Sequence, residues 1–175
     1  ATTGNVIRNI SSAGTVTGII TGAGNDNIYS NTIDSLFSSG VLLTTVSGIN
    51  VTAGTTKNIY QNTISNLQGN SVTTGSVRGI SISGGATVNF FQNKIFSLQA
   101  NALTTGSISG VWNSGGVVIQ LSRNKIYDIS SGSSAVTTGA VYGILVSGAT
   151  ANLNCIINNN IIGDLKAPAA NMADA

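Results

Sequence analysis

Histidine and glutamate are absent from this 175-residue chain, and five aspartates are its entire acidic complement. Without histidine, cysteine–histidine chemistry in its usual form is excluded. Cys155 is the single cysteine, so no intrachain disulfide exists. Glutamate and lysine, which build helices, are missing or sparse. Only 7% of residues are charged, and the seven basic residues are scattered, which argues against a nucleic-acid surface. No run of 18 apolar residues is present, so no membrane span is expected. Disorder is equally unsuited: 41% of the chain is hydrophobic and the net charge is only +2.

What the chain has instead is repetition. Asn-x-Ile-x-x-(Leu/Ile) begins at Asn5, Asn31, Asn62, Asn93, Asn124 and Asn160, and the three central steps are 31 residues each. A second motif, (Val/Ile)-x-Gly-(Ile/Val), is centred on Gly18, Gly48, Gly79, Gly110 and Gly143, in phase with the first. Thr-Thr-Gly precedes it at Thr73, Thr104 and Thr137. Such a period marks a repeat architecture, in which one unit buries its apolar face only by stacking on its neighbours.

The repeat reads as strands. Ile28, Ile59, Phe90, Leu121 and Ile157 lie three residues before the Asn, while Ile7, Ile33, Ile64, Ile95, Ile126 and Ile162 lie two after it. A third column, Ile10, Leu36, Leu67, Leu98, Ile129 and Leu165, lies five after it. β-Branched residues dominate the short runs, and Gly, Ser, Asn and Thr separate them. A coil of about 31 residues with two or three strands predicts an all-β parallel solenoid of about six coils. The Asn column is predicted at a tight bend, with its side chains bonded up the axis. The Gly of the second motif is predicted to mark another bend or a close backbone approach.

These repeats resemble the right-handed parallel β-helix repeats of secreted bacterial proteins. The wording "NxIYxL…TTGxVxGI" is similar to long extracellular repeat proteins of the Bacteroidota. The resemblance covers residues 1–166 as one solenoid domain, with 167–175 an Ala-rich tail or cap. It implies right-handed coiling and an extracellular or cell-surface location. That broad family spans lyases, hydrolases, adhesins and stalks, so fold does not choose among them.

Coil ends without a capping helix predict either continuation in a longer chain or head-to-tail stacking into a fibre. The contact residues would be Asn5, Ile7 and Ile10 at one end, and Asn160, Ile162 and Leu165 at the other. Asn31, Asn62, Asn93 and Asn124 would form the structural ladder between them. Cys155, in the column of Val88 and Ile119, is predicted to point inward as a buried structural residue.

Candidate catalytic groups are few. Asp34 and Asp128 are three coils apart, roughly 14 Å, too far for either glycosidase geometry. Asp128 and Asp164 both lie four after their Asn and form the best carboxylate pair, read as two solvated surface acids. Lys94, Lys125 and Arg123 lie near them and read as surface charge. Asp26 reads as a lone acidic turn, short of the carboxylates a Ca²⁺ loop needs. No catalytic residue, metal site or cofactor is therefore expected.

Two outward aromatic columns remain: Tyr29, Tyr60 and Phe91, and then Phe96 and Tyr127. They offer a possible glycan track, or simple ring packing between strands. Aligned Thr and Ser residues on one strand (Thr74, Thr105 and Thr138, and likewise Thr15, Thr45, Ser76 and Ser107) raise ice binding as a further alternative, which Arg78 and Tyr142 interrupt. The function expected from sequence is a non-enzymatic structural or adhesive solenoid, self-associating end to end or joined to further repeats. Carbohydrate binding or cleavage is the alternative.

Overall fold

The computed structural model describes residues 4–71, 75–101, 107–132, 141–147 and 154–167. They form sixteen β-strands and no helix, so no helix among them is long and apolar enough to cross a membrane. Three parallel sheets wrap one core, and the chain visits them in strict rotation. Sheet A holds β1 (Val6–Ser12), β4 (Thr32–Ser38), β7 (Thr63–Gly69), β10 (Lys94–Ala100), β13 (Lys125–Ser131) and β16 (Ile161–Lys166). Sheet B holds β2 (Val16–Thr21), β5 (Thr45–Val51), β8 (Ser76–Ile82), β11 (Ser107–Asn113) and β14 (Val141–Val146). Sheet C holds β3 (Asp26–Tyr29), β6 (Thr56–Tyr60), β9 (Thr87–Phe91), β12 (Val118–Ser122) and β15 (Asn154–Asn158).

The fold is the parallel β-solenoid that the repeat predicts. The coil count differs slightly: the described strands make five full circuits plus a sixth strand on sheet A, rather than six coils. Each motif column is a register column. Ile33 pairs with Ile64, Ile64 with Ile95, and Ile95 with Ile126; Leu36, Leu67, Leu98 and Ile129 follow in the same way. In the middle of the rod Ile64, Leu67, Ile80, Ile82, Val88 and Phe90 are fully buried. Each such side chain contributes about 1.5–3 kcal/mol by leaving water.

The spacing of three between the Ile and Leu of the first motif does not fit a flat strand, where side chains alternate with a period of two. The structure shows why both face inward. The residue four after each Asn has a left-handed backbone: φ is 53° at Asn66, 54° at Ser97 and 55° at Asp128. That kink reverses the alternation once per strand, so Ile64 and Leu67 share the interior. Asn, Ser and Asp are small polar residues, two of which tolerate this region well.

The Asn column itself is not the left-handed bend that its sequence suggests. The bend falls one residue earlier, at Ser30, Gln61, Gln92, Arg123 and Asn159, with φ of 53–57°. It turns the chain from sheet C into sheet A and swings the following Asn inward. The Gly of the second motif is likewise not a bend but lies inside the sheet B strands. A Cβ on Gly79 would sit 2.5 Å from Ile95 Cγ2 and 2.6 Å from the Gly110 carbonyl oxygen. The close-approach half of the expectation is therefore the one that holds. The positive-φ glycines are others, Gly24, Gly54, Gly85 and Gly116, placed where sheet B turns into sheet C.

Candidate functional site

The Asn side chains form one directional ladder along the whole rod. Asn31 N–H and Nδ2 both donate to Asn62 Oδ1, at 3.0 and 2.9 Å. Asn62 does the same to Asn93, and Asn93 to Asn124, at 2.9–3.1 Å. Each Nδ2 also reaches back to the previous coil: Asn62 to the Ile28 carbonyl, Asn93 to Ile59 and Asn124 to Phe90. Asn31, Asn62, Asn93 and Asn124 are buried. Their amides therefore satisfy groups that water cannot reach, and an unmade bond there would be costly.

The ladder stops at two unlike ends. Asn5 donates to Asn31 Oδ1 through its N–H and Nδ2, but among the described residues nothing donates to Asn5 Oδ1. Asn160 accepts from Asn124 and sends its Nδ2 to the Leu121 carbonyl, while its own N–H has no acceptor among the described residues. One end thus presents an acceptor and the other presents donors. The end faces also carry the core columns into solvent. Ile162 and Leu165 are exposed at the far end, as is Ile10 at the near end, whereas Ile126 in the same column as Ile162 is 0% exposed. Ile7 is half-buried against the core.

Cys155 corrects the sequence expectation. It does pair with Ile119 in the inward column, but β15 is the last strand of sheet C, and the thiol is exposed because no described strand covers it.

Asp26 is also placed differently from a lone acidic turn. It occupies the inward column of sheet C, in register with Lys57. The Lys57 side chain is completely buried, and its Nζ bonds to the Asp26 carboxylate and, at 2.9 Å, to Thr21 Oγ1. Thr21 also donates to Asp26. The hydrogen bonds from Lys57 and then Thr21 hold the Asp26 carboxyl below its ordinary value. Asp26 remains 39% exposed, since β3 is the first strand of its sheet. The pair is a charged plug in an otherwise apolar column.

Outside the rod, the aromatic columns stack as expected. Tyr29 and Tyr60 rings lie 5.0 Å apart at 6°, Tyr60 and Phe91 4.9 Å apart at 1°, and Phe96 and Tyr127 5.2 Å apart at 7°. Lys94 Nζ lies 4.6 Å from the Phe96 ring centre. Tyr60 has a ring against each of its faces, so it offers an edge rather than a platform. That geometry favours packing along the axis over sugar stacking. Arg78 lies 3.7 Å over the Trp112 ring on sheet B, so that face is not a flat hydroxyl array. Thr74, Thr105 and Thr138 lie outside the described residues.

The acids on sheet A are held by hydroxyls and amides. Asp34 accepts from Ser65 at 2.6 Å, Ser35 at 2.7 Å and Asn66 at 2.7 Å, and the Ser65 bond leads in lowering its carboxyl below the ordinary value. Asp128 accepts from Ser97 at 2.7 Å, while Asp164 pairs with Lys166 at 2.8 Å, raising the lysine. The register places Asp128 and Asp164 on adjacent strands, as expected. Among the described residues no three metal-ligating side chains cluster. The left-handed kinks also open a shallow groove of about 200 Å³ along sheet A, lined by Asn66, Gln68, Ser97, Gln99, Asp128 and Ser130. No family model matches this chain, and no curated protein or solved structure matches it.

Proposed function

We propose that this chain is a structural solenoid module of an extracellular or cell-surface assembly. It works by continuing its ladders onto neighbouring coils rather than by catalysis. The observation that carries this reading is the pair of unlike ladder ends, an acceptor at Asn5 and donors at Asn160. Exposed core columns at both ends support it, because an unpaired strand edge over an apolar column is a template for another strand. The mode of recognition is strand addition, with main-chain bonds giving affinity and matched columns giving register. A donor end fits an acceptor end and not its own kind, so the contact is head to tail and does not close.

Electron microscopy and sedimentation across a concentration series test this. Rods that lengthen with concentration are expected, starting from a unit of about 25 Å set by the strand spacing. Ile162→Lys places a charge on the apolar end column and should abolish the lengthening. Single short rods at every concentration, or lengthening that Ile162→Lys leaves intact, would overturn the reading.

Carbohydrate binding is the second reading, and the groove on sheet A is the observation that favours it. Its amides, hydroxyls and one carboxylate beside the Phe96–Tyr127 stack suit a polar saccharide. Glycan-array screening with Gln99→Ala as the comparison separates the two: a glycan hit lost in that variant supports binding.

A further inference from the structure

Arg78 is the only charged residue in the five strands of sheet B. Val77, Ile80 and Ile82 on its strand enter the core, while Arg78 lies on the outer face. Its guanidinium crosses to the next coil and lies over the Trp112 ring, 3.7 Å from the ring centre. The register explains the fit. Trp112 pairs with Ser81 on the strand of Arg78, and Ser81 pairs in turn with Asn50. Serine is too short to stack on the indole, so the arginine from the same strand takes that place, and Ser81 is left 4% exposed.

This cation has no counter-charge. Among the described residues no carboxylate pairs with Arg78, and none accepts a hydrogen bond from it. The Asn50 side-chain amide is likewise without a partner among them. Both residues are half-buried. Burial pulls the Arg78 guanidinium below its ordinary value, because water has been removed and no anion added. The buried Lys57, by contrast, is bonded to Asp26 and Thr21. A guanidinium stacked on a ring is held in one plane and keeps its N–H edge free, and that fork matches a carboxylate.

We propose that Asn50, Arg78 and Trp112 form a binding site for one isolated carboxylate carried on a neutral, hydroxylated framework, that is, a sugar acid within an otherwise uncharged glycan. The Arg78 fork takes the carboxylate. The Asn50 amide, one coil away, exchanges a hydrogen bond with a hydroxyl of the same sugar. Trp112 fixes the guanidinium plane and shields one side of it from water. A polyanion suits the surface less well. The other positions in the Arg78 column, Ser47, Ser109 and Tyr142, are neutral, so a second carboxylate finds no second cation. An acidic peptide meets the same limit. The site lies on middle coils, apart from the coil ends and from the groove on sheet A, so it stands independently of both readings above.

Trp112 is the only tryptophan of the chain, so its emission reads this site alone. The intact protein is titrated with a neutral oligosaccharide carrying one glucuronate, and with the same oligosaccharide after reduction of its carboxyl group. A saturable emission change is expected for the acid, with the reduced form at least about tenfold weaker, as for loss of a charged hydrogen bond. Calorimetry repeats the comparison on variants, because changing Arg78 alters the emission itself. Arg78→Gln should abolish binding, and Arg78→Lys, which keeps the charge but not the fork, should weaken it about tenfold. Circular dichroism checks that both variants keep their β-structure. No saturable binding by either method would overturn the proposal. So would equal binding of the reduced sugar, or unchanged affinity in Arg78→Gln. An acidic peptide that binds as tightly as the sugar, or affinity that climbs with each carboxylate added to the glycan, would overturn the assignment to an isolated sugar acid.

Discussion

Coils in the middle of the rod and coils at its ends carry the same motif and live in different environments. Ile126 and Ile162 are neighbours in one column, yet the first is 0% and the second 43% exposed. Leu121 and Ile157 differ in the same way, at 0% and 48%. Nothing in the residue or its local strand separates the members of each pair. The difference is whether a further strand lies beyond, because a solenoid unit is buried only by its neighbours. An inward column is thus core in the middle and exposed surface at the end.

The largest test of this contrast is the Asn ladder. Asn93→Ala removes an acceptor used by Asn62 and donors used by Asn124 and the Ile59 carbonyl, all in buried positions. Urea unfolding should show a loss of about 3–5 kcal/mol, since several buried groups are orphaned together. Asn5→Ala keeps its backbone bond to Asn31 and sits in water, so it should cost less than about 1 kcal/mol. Equal losses at the two sites would break the comparison between middle and end.

A smaller effect is expected at the glycines. Gly79→Ala forces a Cβ against Ile95 and the Gly110 carbonyl and should cost about 1–3 kcal/mol by overpacking. Gly163 lies on the last strand, where an added Cβ would meet nothing within 4 Å, so Gly163→Ala should stay within about 0.5 kcal/mol. Thermal melts of the two variants measure the difference.

Acid should loosen the rod from one end. Asp26 and Asp34 have carboxyls held below their ordinary value by hydrogen bonds, led by Lys57 and Ser65 respectively. A depressed carboxylate contributes stability that is present above the unfolded value near 4 and lost as pH falls through the folded one. Both lie in the first two coils, while β7 to β12 carry no acid. Hydrogen exchange below about pH 4 should therefore show β1 to β4 losing protection before β7 to β12. Uniform loss along the rod would contradict it.

The columns were legible in the sequence because a 31-residue period places equivalent residues above one another, whatever the coil's cross-section. The Ile and Leu columns, the Asn ladder and the aromatic stacks all followed from that alone. The charged plug did not. Lys57 shares its column with Val88 and Ile119, and its sequence carries no sign that a lysine would be fully buried. The register with Asp26, one coil away, and the nearby Thr21 hydroxyl make that position tolerable for a cation. The left-handed kinks were hidden for a related reason: small polar residues at a repeat position announce a turn, but not which of two neighbours takes the positive φ.

The sequence by itself determined a stacked, all-β repeat with Asn and aliphatic ladders, because periodicity fixes which residues become neighbours across strands. The tertiary structure decided which members of a column are core and which are surface, where the backbone kinks, and that Lys57 is buried against Asp26. Those properties depend on how many strands lie on each side of a residue, and a strand has no record of its neighbours until it is stacked.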